Sequence, residues 1–334
     1  MTSAATGKLN KCSLCLWAVL VLALLGVARA NVGPRTVHSK TAQAEPQKPI
    51  SVTSELVAIP VNVLDAKGNF VSGLRRENFQ IYENNHPQDI SLFEQEDTPV
   101  TIGLLVDHSG SMESKLQSVV TAISGFTHAS NPQDEMFVVN FGDAAKVEPL
   151  GGKAFTSDAT EIARAVGISA EGRTALYDAV SAGINHLRGA KWQKRALLIV
   201  SDGGDNASWY KYSQVLEQAR QSQVSIYAVG LVDEFGEEEN PKILEELCKA
   251  TGGIVFFPRS ASEIMGATAS IARDLREQYM LGFVPEKPAE ADSFHKVQVR
   301  ISAPQFGKLH VRARPGYSVG APLNRSSKSE STLP

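Results

Sequence analysis

The sequence predicts an α/β fold, a doubly wound and mostly parallel sheet with a flanking β-sandwich built from N- and C-terminal segments. Three observations carry it. Between residues 99 and 278, nearly continuous apolar runs alternate with amphipathic stretches at helical spacing, the rhythm of parallel strands buried on both faces. On either side, at 51–98 and 279–317, the pattern shifts to short β-type segments broken by turn residues. The chain has 334 residues, 43% apolar and 21% charged, which suffices for one large domain and a smaller companion.

The first thirty residues stand outside the fold. Lys8 and Lys11 precede an apolar run at 14–27 that ends in Ala28-Arg29-Ala30, the small-x-small pattern of a secretory signal peptide. The expected location is therefore secreted or periplasmic. The run is shorter than the ~20 residues a spanning helix needs, so a membrane association is expected only if the signal stays uncleaved. Cys12 and Cys15 leave with the signal, and the one remaining thiol, Cys248, has no intramolecular partner. With Ile243, Leu244 and Leu247 it forms an apolar stripe at helical spacing, which predicts a buried, inert thiol. Residues 31–50 and 318–334 lack any hydrophobic period and read as a flexible linker and tail.

In the first β-rich stretch, Leu56-Val57-Ala58-Ile59-Pro60-Val61-Asn62-Val63 alternates and then turns at Asp65-Ala66-Lys67-Gly68-Asn69. Further strands at 79–83 and 90–93 suggest a β meander. The central stretch opens with a buried strand at 101–106, a polar turn, and a helix carrying Leu116, Val119, Val120, Ile123 and Phe126. The unit recurs, with strands at 136–141, 196–201, 224–229 and 254–257 and helices at 175–187, 213–221, 242–250 and 262–277. Residues 145–150 follow too closely for a helical crossover, which predicts an antiparallel edge strand. The last stretch offers strands at 279–284, 296–302 and 309–313, and the two flanks are expected to join in one sandwich.

Polar chemistry collects where the central strands end. Asp107-His108-Ser109-Gly110-Ser111 follows the first strand, Asp202-Gly203-Gly204-Asp205-Asn206 follows the strand at 196–201, and Gly172-Arg173-Thr174 opens a helix. In an open parallel sheet the carboxyl ends of the strands form the binding crevice at the topological switch, so these loops should converge. They supply two carboxylates and three hydroxyls, an all-oxygen set that suits a hard divalent ion such as Mg²⁺.

Asp107-x-Ser109-x-Ser111, then Thr174 within Gly-Arg-Thr-Ala-Leu-Tyr-Asp-Ala, then Asp202 within Ser-Asp-Gly-Gly-Asp-Asn, resembles the metal-ion-dependent adhesion site of von Willebrand factor type A domains. The flanks are similar to a secreted bacterial VWFA-related subgroup in Val71-Ser72-Gly73-Leu74, Asn78-Phe79, Gln278-Tyr279-Met280-Leu281-Gly282-Phe283 and Arg314-Pro315-Gly316-Tyr317. The resemblance covers roughly Ser51 to Tyr317 and implies a Rossmann-like central domain. It implies that Ser109, Ser111 and Thr174 give hydroxyl oxygens to Mg²⁺, with Mn²⁺ or Ca²⁺ as substitutes, while Asp107 and Asp202 bind directly or through water. An ion held largely by neutral hydroxyls and waters keeps much of its positive charge, so an acidic side chain of a partner protein can take the open sixth position. The function implied is a metal-dependent adhesion or protein-binding module. The alternative is an envelope scaffold in which the metal is structural and the sandwich binds partners.

Two departures from the family pattern, Arg173 and His108, remove no ligand. Arg173 and His108, with Trp209 and Tyr210 after the Asp202 loop, are expected candidates for partner contact. Arg173 also reads as a solvated loop arginine, His108 as an exposed neighbour of the site, and Trp209 with Tyr210 as packing for the next helix. The acidic run Asp233 to Glu239 should lie on the same face, either as a solvated loop or as a screen or internal carboxylate for the site.

Other function classes are excluded by what is missing. A formal net charge of -3, with 33 basic against 36 acidic residues, provides no field for nucleic acid. Asp107, His108 and Ser109 are adjacent, and adjacent side chains diverge, so they cannot form a hydrolytic triad. Neither a Gly-x-Ser-x-Gly elbow nor a phosphate-loop lysine follows the first strand. No catalysis and no small-molecule substrate are expected.

Overall fold

The computed structural model describes residues 56–95, 97–233, 239–285 and 293–319. The expected signal (1–30), the linker (31–50) and most of the expected tail lie outside them, as does 234–238 of the acidic run. Among the described residues no helix is long and apolar enough to cross a membrane.

The chain begins with β1 (Val57–Asp65), whose Ile59, Val61 and Val63 are buried, and turns where the Asp65 carboxylate accepts from the amides of Lys67 and Asn69. Strands β2 (Phe79–Glu83) and β3 (His86–Gln88) form a hairpin whose turn places Asn84 and Asn85 at positive φ, a conformation asparagine tolerates. Strand β4 (Ile90–Glu94) ends this segment.

The central module starts with β5 (Val100–Asp107), buried at every position. A 3₁₀ turn, Gly110–Lys115, leads into α1 (Leu116–Ala129), which buries Val119, Ala122, Ile123 and Phe126. Next come β6 (Glu135–Phe141), the short β7 (Ala145–Val147), and α2 (Ala159–Ala165). The sequence pattern does not reveal α2, because a two-turn helix that buries only Ile162 carries no readable period. The remaining elements are α3 (Leu176–His186), β8 (Lys194–Ser201), α4 (Tyr212–Gln221), β9 (Ser225–Gly230), α5 (Pro241–Thr251), β10 (Val255–Phe256) and α6 (Ala261–Arg276). Four strands close the chain: β11 (Tyr279–Phe283), β12 (Ser293–Ile301), β13 (Leu309–Ala313) and β14 (Gly316–Val319).

The central sheet has the order β10-β9-β8-β5-β6-β7, parallel except for β7, which returns antiparallel on β6 as its short connection requires. Helix α1 packs on α6, α3 on α4, and α4 on α5. Cys248 of α5 is buried in this core, and burial pushes its thiol well above the ordinary range.

The expected meander does not form. Strand β1 pairs with β11 and β13, and β4 pairs with β11, so the first flank is built into the last. Two antiparallel sheets result, β13-β1-β11-β4 and β14-β12-β2-β3. Their inner faces meet in one core that includes Ile59, Val61, Phe79, Ile81, Tyr279, Leu281, Val297 and Val299. A lone meander would leave one apolar face in water, and only strands from both flanks supply two sheets that cover each other.

Two side-chain networks fasten this sandwich to the central module. Asp274 of α6 is fully buried and accepts from Asn62 of β1 at 2.8 Å, from Tyr227 of β9 at 2.8 Å and from Arg312 of β13. Arg314 donates to the carbonyls of Arg220 and Ser222 at 2.6 and 2.7 Å, capping the C-terminal end of α4.

Candidate functional site

Asp107 is the last residue of β5 and Asp202 immediately follows β8. The two strands are parallel neighbours, and their continuations diverge, β5 leading to β6 on one side and β8 to β9 on the other. The crevice predicted at such a switch point lies outside these two carboxyl ends.

Four of the five predicted ligands form one hydrogen-bonded chain there. Asp107 Oδ1 accepts from the Ser109 amide at 2.9 Å, the Ser109 and Ser111 hydroxyls are 3.1 Å apart, and Ser111 Oγ donates to Asp202 Oδ2 at 2.7 Å. Thr174 joins through its backbone. Its amide donates to Asn206 Oδ1 at 2.8 Å, its carbonyl accepts from the Asn206 and Ala207 amides, and two residues earlier the Gly172 carbonyl accepts from the Gly110 amide at 3.1 Å. The three loops thus touch one another. Two glycines permit it: Gly172 adopts the left-handed φ of +78°, and Gly203, at φ +86°, would drive a Cβ into the Asn240 carbonyl.

The site is crowded with negative charge. Asp107 and Asp202 are 0% and 1% exposed. Burial pushes the Asp107 carboxyl up to about 6, against hydrogen bonds from Ser109 and Ser201 that favour its charged form, and the nearby Asp202 charge adds to the rise. Ser201 Oγ donates to Asp107 Oδ2 at 2.6 Å, so the residue before Asp202 orients Asp107 across the crevice.

The balancing cation within the chain is Lys115, which sequence reasoning missed. Its ammonium lies 2.6 Å from Glu239, 3.3 Å from Asp233 and 3.6 Å from Asp202, with the side chain only 8% exposed. Burial works against the charged ammonium, and these carboxylates more than offset it, holding its pKa above the ordinary lysine value. Lys115 lies four residues beyond Ser111 at the end of the same 3₁₀ segment, and that nearness in sequence to the predicted ligands is the signal that could have found it.

A divalent cation fits this donor set. Among the described residues, two buried carboxylates meet the Ser109 and Ser111 hydroxyls at one crevice, and the carboxylates of Asp107, Asp202, Asp233 and Glu239 are opposed there by the Lys115 ammonium. Among the described residues no group of three or more His, Cys, Asp or Glu side chains is arranged for a metal, so a centre here would depend on the serine and threonine hydroxyls.

The predicted rim residues separate into exposed and internally engaged groups. Trp209 is 70% exposed, with its backbone amide held by the Asp178 carboxylate at 3.0 Å, whereas Tyr210 packs against the central core. Arg173 is exposed and ion-paired to Asp143 at 3.3 Å. His108 turns toward β6 and the loop after α2, Nδ1 lying 2.7 Å from the Ser169 carbonyl and Nε2 3.1 Å from Asn140 Oδ1, so its ring bridges those two segments.

The von Willebrand factor type A domain profile matches residues 101–269, half of the chain, from β5 into α6, the stretch that carries the site. The chain belongs to the von Willebrand factor type A domain family. Solved structures similar to this vWA protein include a von Willebrand factor type A protein from Catenulispora acidiphila, at 15% identity over 80% of this chain and 74% of that one, with a TM-score of 0.47. Others are an aerotolerance-related membrane protein from Bacteroides fragilis (15% identity, 53% of this chain and 98% of that one, TM-score 0.43) and BatB from Bacteroides thetaiotaomicron (18%, 52% and 98%, TM-score 0.41). A comparison with curated proteins returned no match.

Proposed function

We propose that this vWA protein is a metal-dependent protein-binding module that recognises an acidic group on a partner. The observation that carries the reading is the continuous chain Asp107, Ser109, Ser111, Asp202 at the carboxyl ends of two neighbouring strands. Ser109, Ser111 and Thr174 would offer neutral oxygens to Mg²⁺, or to Mn²⁺ or Ca²⁺, and Asp107 and Asp202 would bind it directly or through water. Bound there, the ion supplies a Lewis-acidic position open to a carboxylate from outside. Ser201 fixes the Asp107 carboxylate, Asn206 fixes Thr174, and the exposed Trp209 stands on the loop that Asp178 and Asn206 hold in place. Arg173, exposed and ion-paired to Asp143, would add a charge-assisted bond to an incoming carboxylate on leaving that partner. The signal-like N-terminus supports a secreted or periplasmic setting, and nothing in the donor set supports bond-breaking chemistry.

Capture of partner proteins by the immobilised chain, in Mg²⁺ and in EDTA, tests the reading beside Asp202→Ala. Capture that requires Mg²⁺ and disappears in the variant supports it. Capture by Asp202→Ala at the wild-type level, with only a lower melting temperature, would instead mark the metal as structural and the sandwich as the binding surface.

A further inference from the structure

Lys115 carries a charge of the same sign as the proposed metal beside one of its expected ligands, and its placement is specific. The oxygen of Asp202 that its ammonium faces, Oδ2, is the same oxygen that accepts from Ser111. A cation held by Ser111 and Asp202 must therefore share that carboxylate with an ammonium already beside it. The side chain is buried and leaves the end of a 3₁₀ turn. Glu239 fixes its position: Oε1 takes the ammonium at 2.6 Å while Oε1 and Oε2 accept from the Asp233 amide at 2.9 and 2.8 Å. The carboxylate of Asp233, 3.3 Å away, completes its surroundings.

We propose that Lys115 is a tethered counter-cation that competes with the divalent ion for Asp202 and lowers the site's metal affinity, with Glu239 holding it back from full occupation of that carboxylate. The inference rests on the metal-binding reading above. It accounts for how two adjacent buried carboxylates are tolerated, since an uncompensated buried charge is costly and the ammonium offsets part of it. It also makes metal binding readily reversible, because the ammonium repels the incoming ion and reoccupies Asp202 when the ion leaves.

The test is calorimetric titration of Mg²⁺ and Mn²⁺ into the metal-stripped full chain, as wild type, Lys115→Met, Glu239→Gln and Asp107→Ala, with melting curves in EDTA and in saturating Mg²⁺. Removing a unit charge a few ångströms from Asp202 should tighten metal binding by about tenfold in Lys115→Met. Glu239→Gln should weaken it, because the ammonium is then free to settle on Asp202. Lys115→Met should melt lower than wild type in EDTA, and Mg²⁺ should narrow that gap. If Lys115→Met cannot be purified folded, an unchanged affinity in Glu239→Gln overturns the proposal by itself. Wild-type binding that Asp107→Ala abolishes, with Lys115→Met within twofold of wild type, overturns the role of Lys115 and leaves the metal site standing. Absence of saturable binding in the wild type and in Lys115→Met overturns both.

Discussion

Ser111 Oγ donates to Asp202 Oδ2 at 2.7 Å across 91 residues of sequence, joining the loop after β5 to the loop after β8. This is one hydrogen bond to a charged acceptor, between two of the residues that would hold the ion. The replacement Ser111→Ala should therefore cost about 1.5–3 kcal/mol of stability in EDTA. It should weaken Mg²⁺ binding by far more than that loss would suggest. Urea melts in EDTA beside a Mg²⁺ titration check the separation, and equal small effects on both would contradict it.

Asp107 gives a pH dependence whose sign is fixed by its burial. Its carboxyl is raised to about 6 in the folded protein, against 3.8 for the unperturbed group. The native state then holds a proton that the unfolded state has released, so this group's contribution to stability is full below the unfolded value and is lost as pH rises from 4 to 6. In EDTA, Asp107→Asn should melt above wild type at pH 7.5, by about 1–2 kcal/mol in stability, and show no such advantage at pH 4. An advantage independent of pH would assign the effect to packing.

Asp274 binds the two halves of the molecule electrostatically. Asp274→Ala leaves the Arg312 guanidinium without its buried carboxylate and removes the acceptor of Asn62 and Tyr227, so it should destabilise by about 3–5 kcal/mol in urea melts. Asp274→Asn should recover part of the loss, since the amide oxygen can accept one of those bonds. Asp274→Ala within 1 kcal/mol of wild type would show that apolar packing alone holds α6 to the sandwich.

Arg314 acts by shape as much as by charge. It is buried, its guanidinium pulled down to about 10 by burial, and it spreads donors over the Arg220, Ser222 and Gly316 carbonyls. Lysine cannot reproduce that fork. Arg314→Lys and Arg314→Ala should both lower stability, by about 2–3 kcal/mol, as expected when buried carbonyls lose their donors. Wild-type stability in Arg314→Lys would reduce its role to a point charge.

The legible parts of this molecule are those in which one element states its own environment. Strand β5 is apolar from Val100 to Val106 because both faces are covered, and that is visible without knowing what covers it. The loops carrying Asp107 and Asp202 could be placed on one crevice because topology alone brings those strand ends together. The pairing of β1 with β11 and β13 was not legible, since an alternating strand announces which side is apolar and nothing about which neighbour satisfies its backbone. The flanking motifs acquire reasons only in three dimensions. The Tyr279 hydroxyl accepts from the Leu74 amide at 3.1 Å and donates to the Val71 carbonyl at 2.9 Å, joining Val71-Ser72-Gly73-Leu74 to the strand that begins at Tyr279. His108 turned inward because a ring beside Asn140 and Ser169 has better partners there than in solvent, and Lys115 went unnoticed because a lysine in an exposed-looking turn is ordinarily solvated.

Titration calorimetry of Mg²⁺ and Mn²⁺ into the metal-stripped chain, beside Asp107→Ala, tests the central claim most directly. Saturable binding of one ion per chain that the variant abolishes is the predicted result. A wild-type protein that binds neither ion at millimolar concentration would contradict it, and would leave the carboxylates and hydroxyls at the ends of β5 and β8 as a structural junction between three loops.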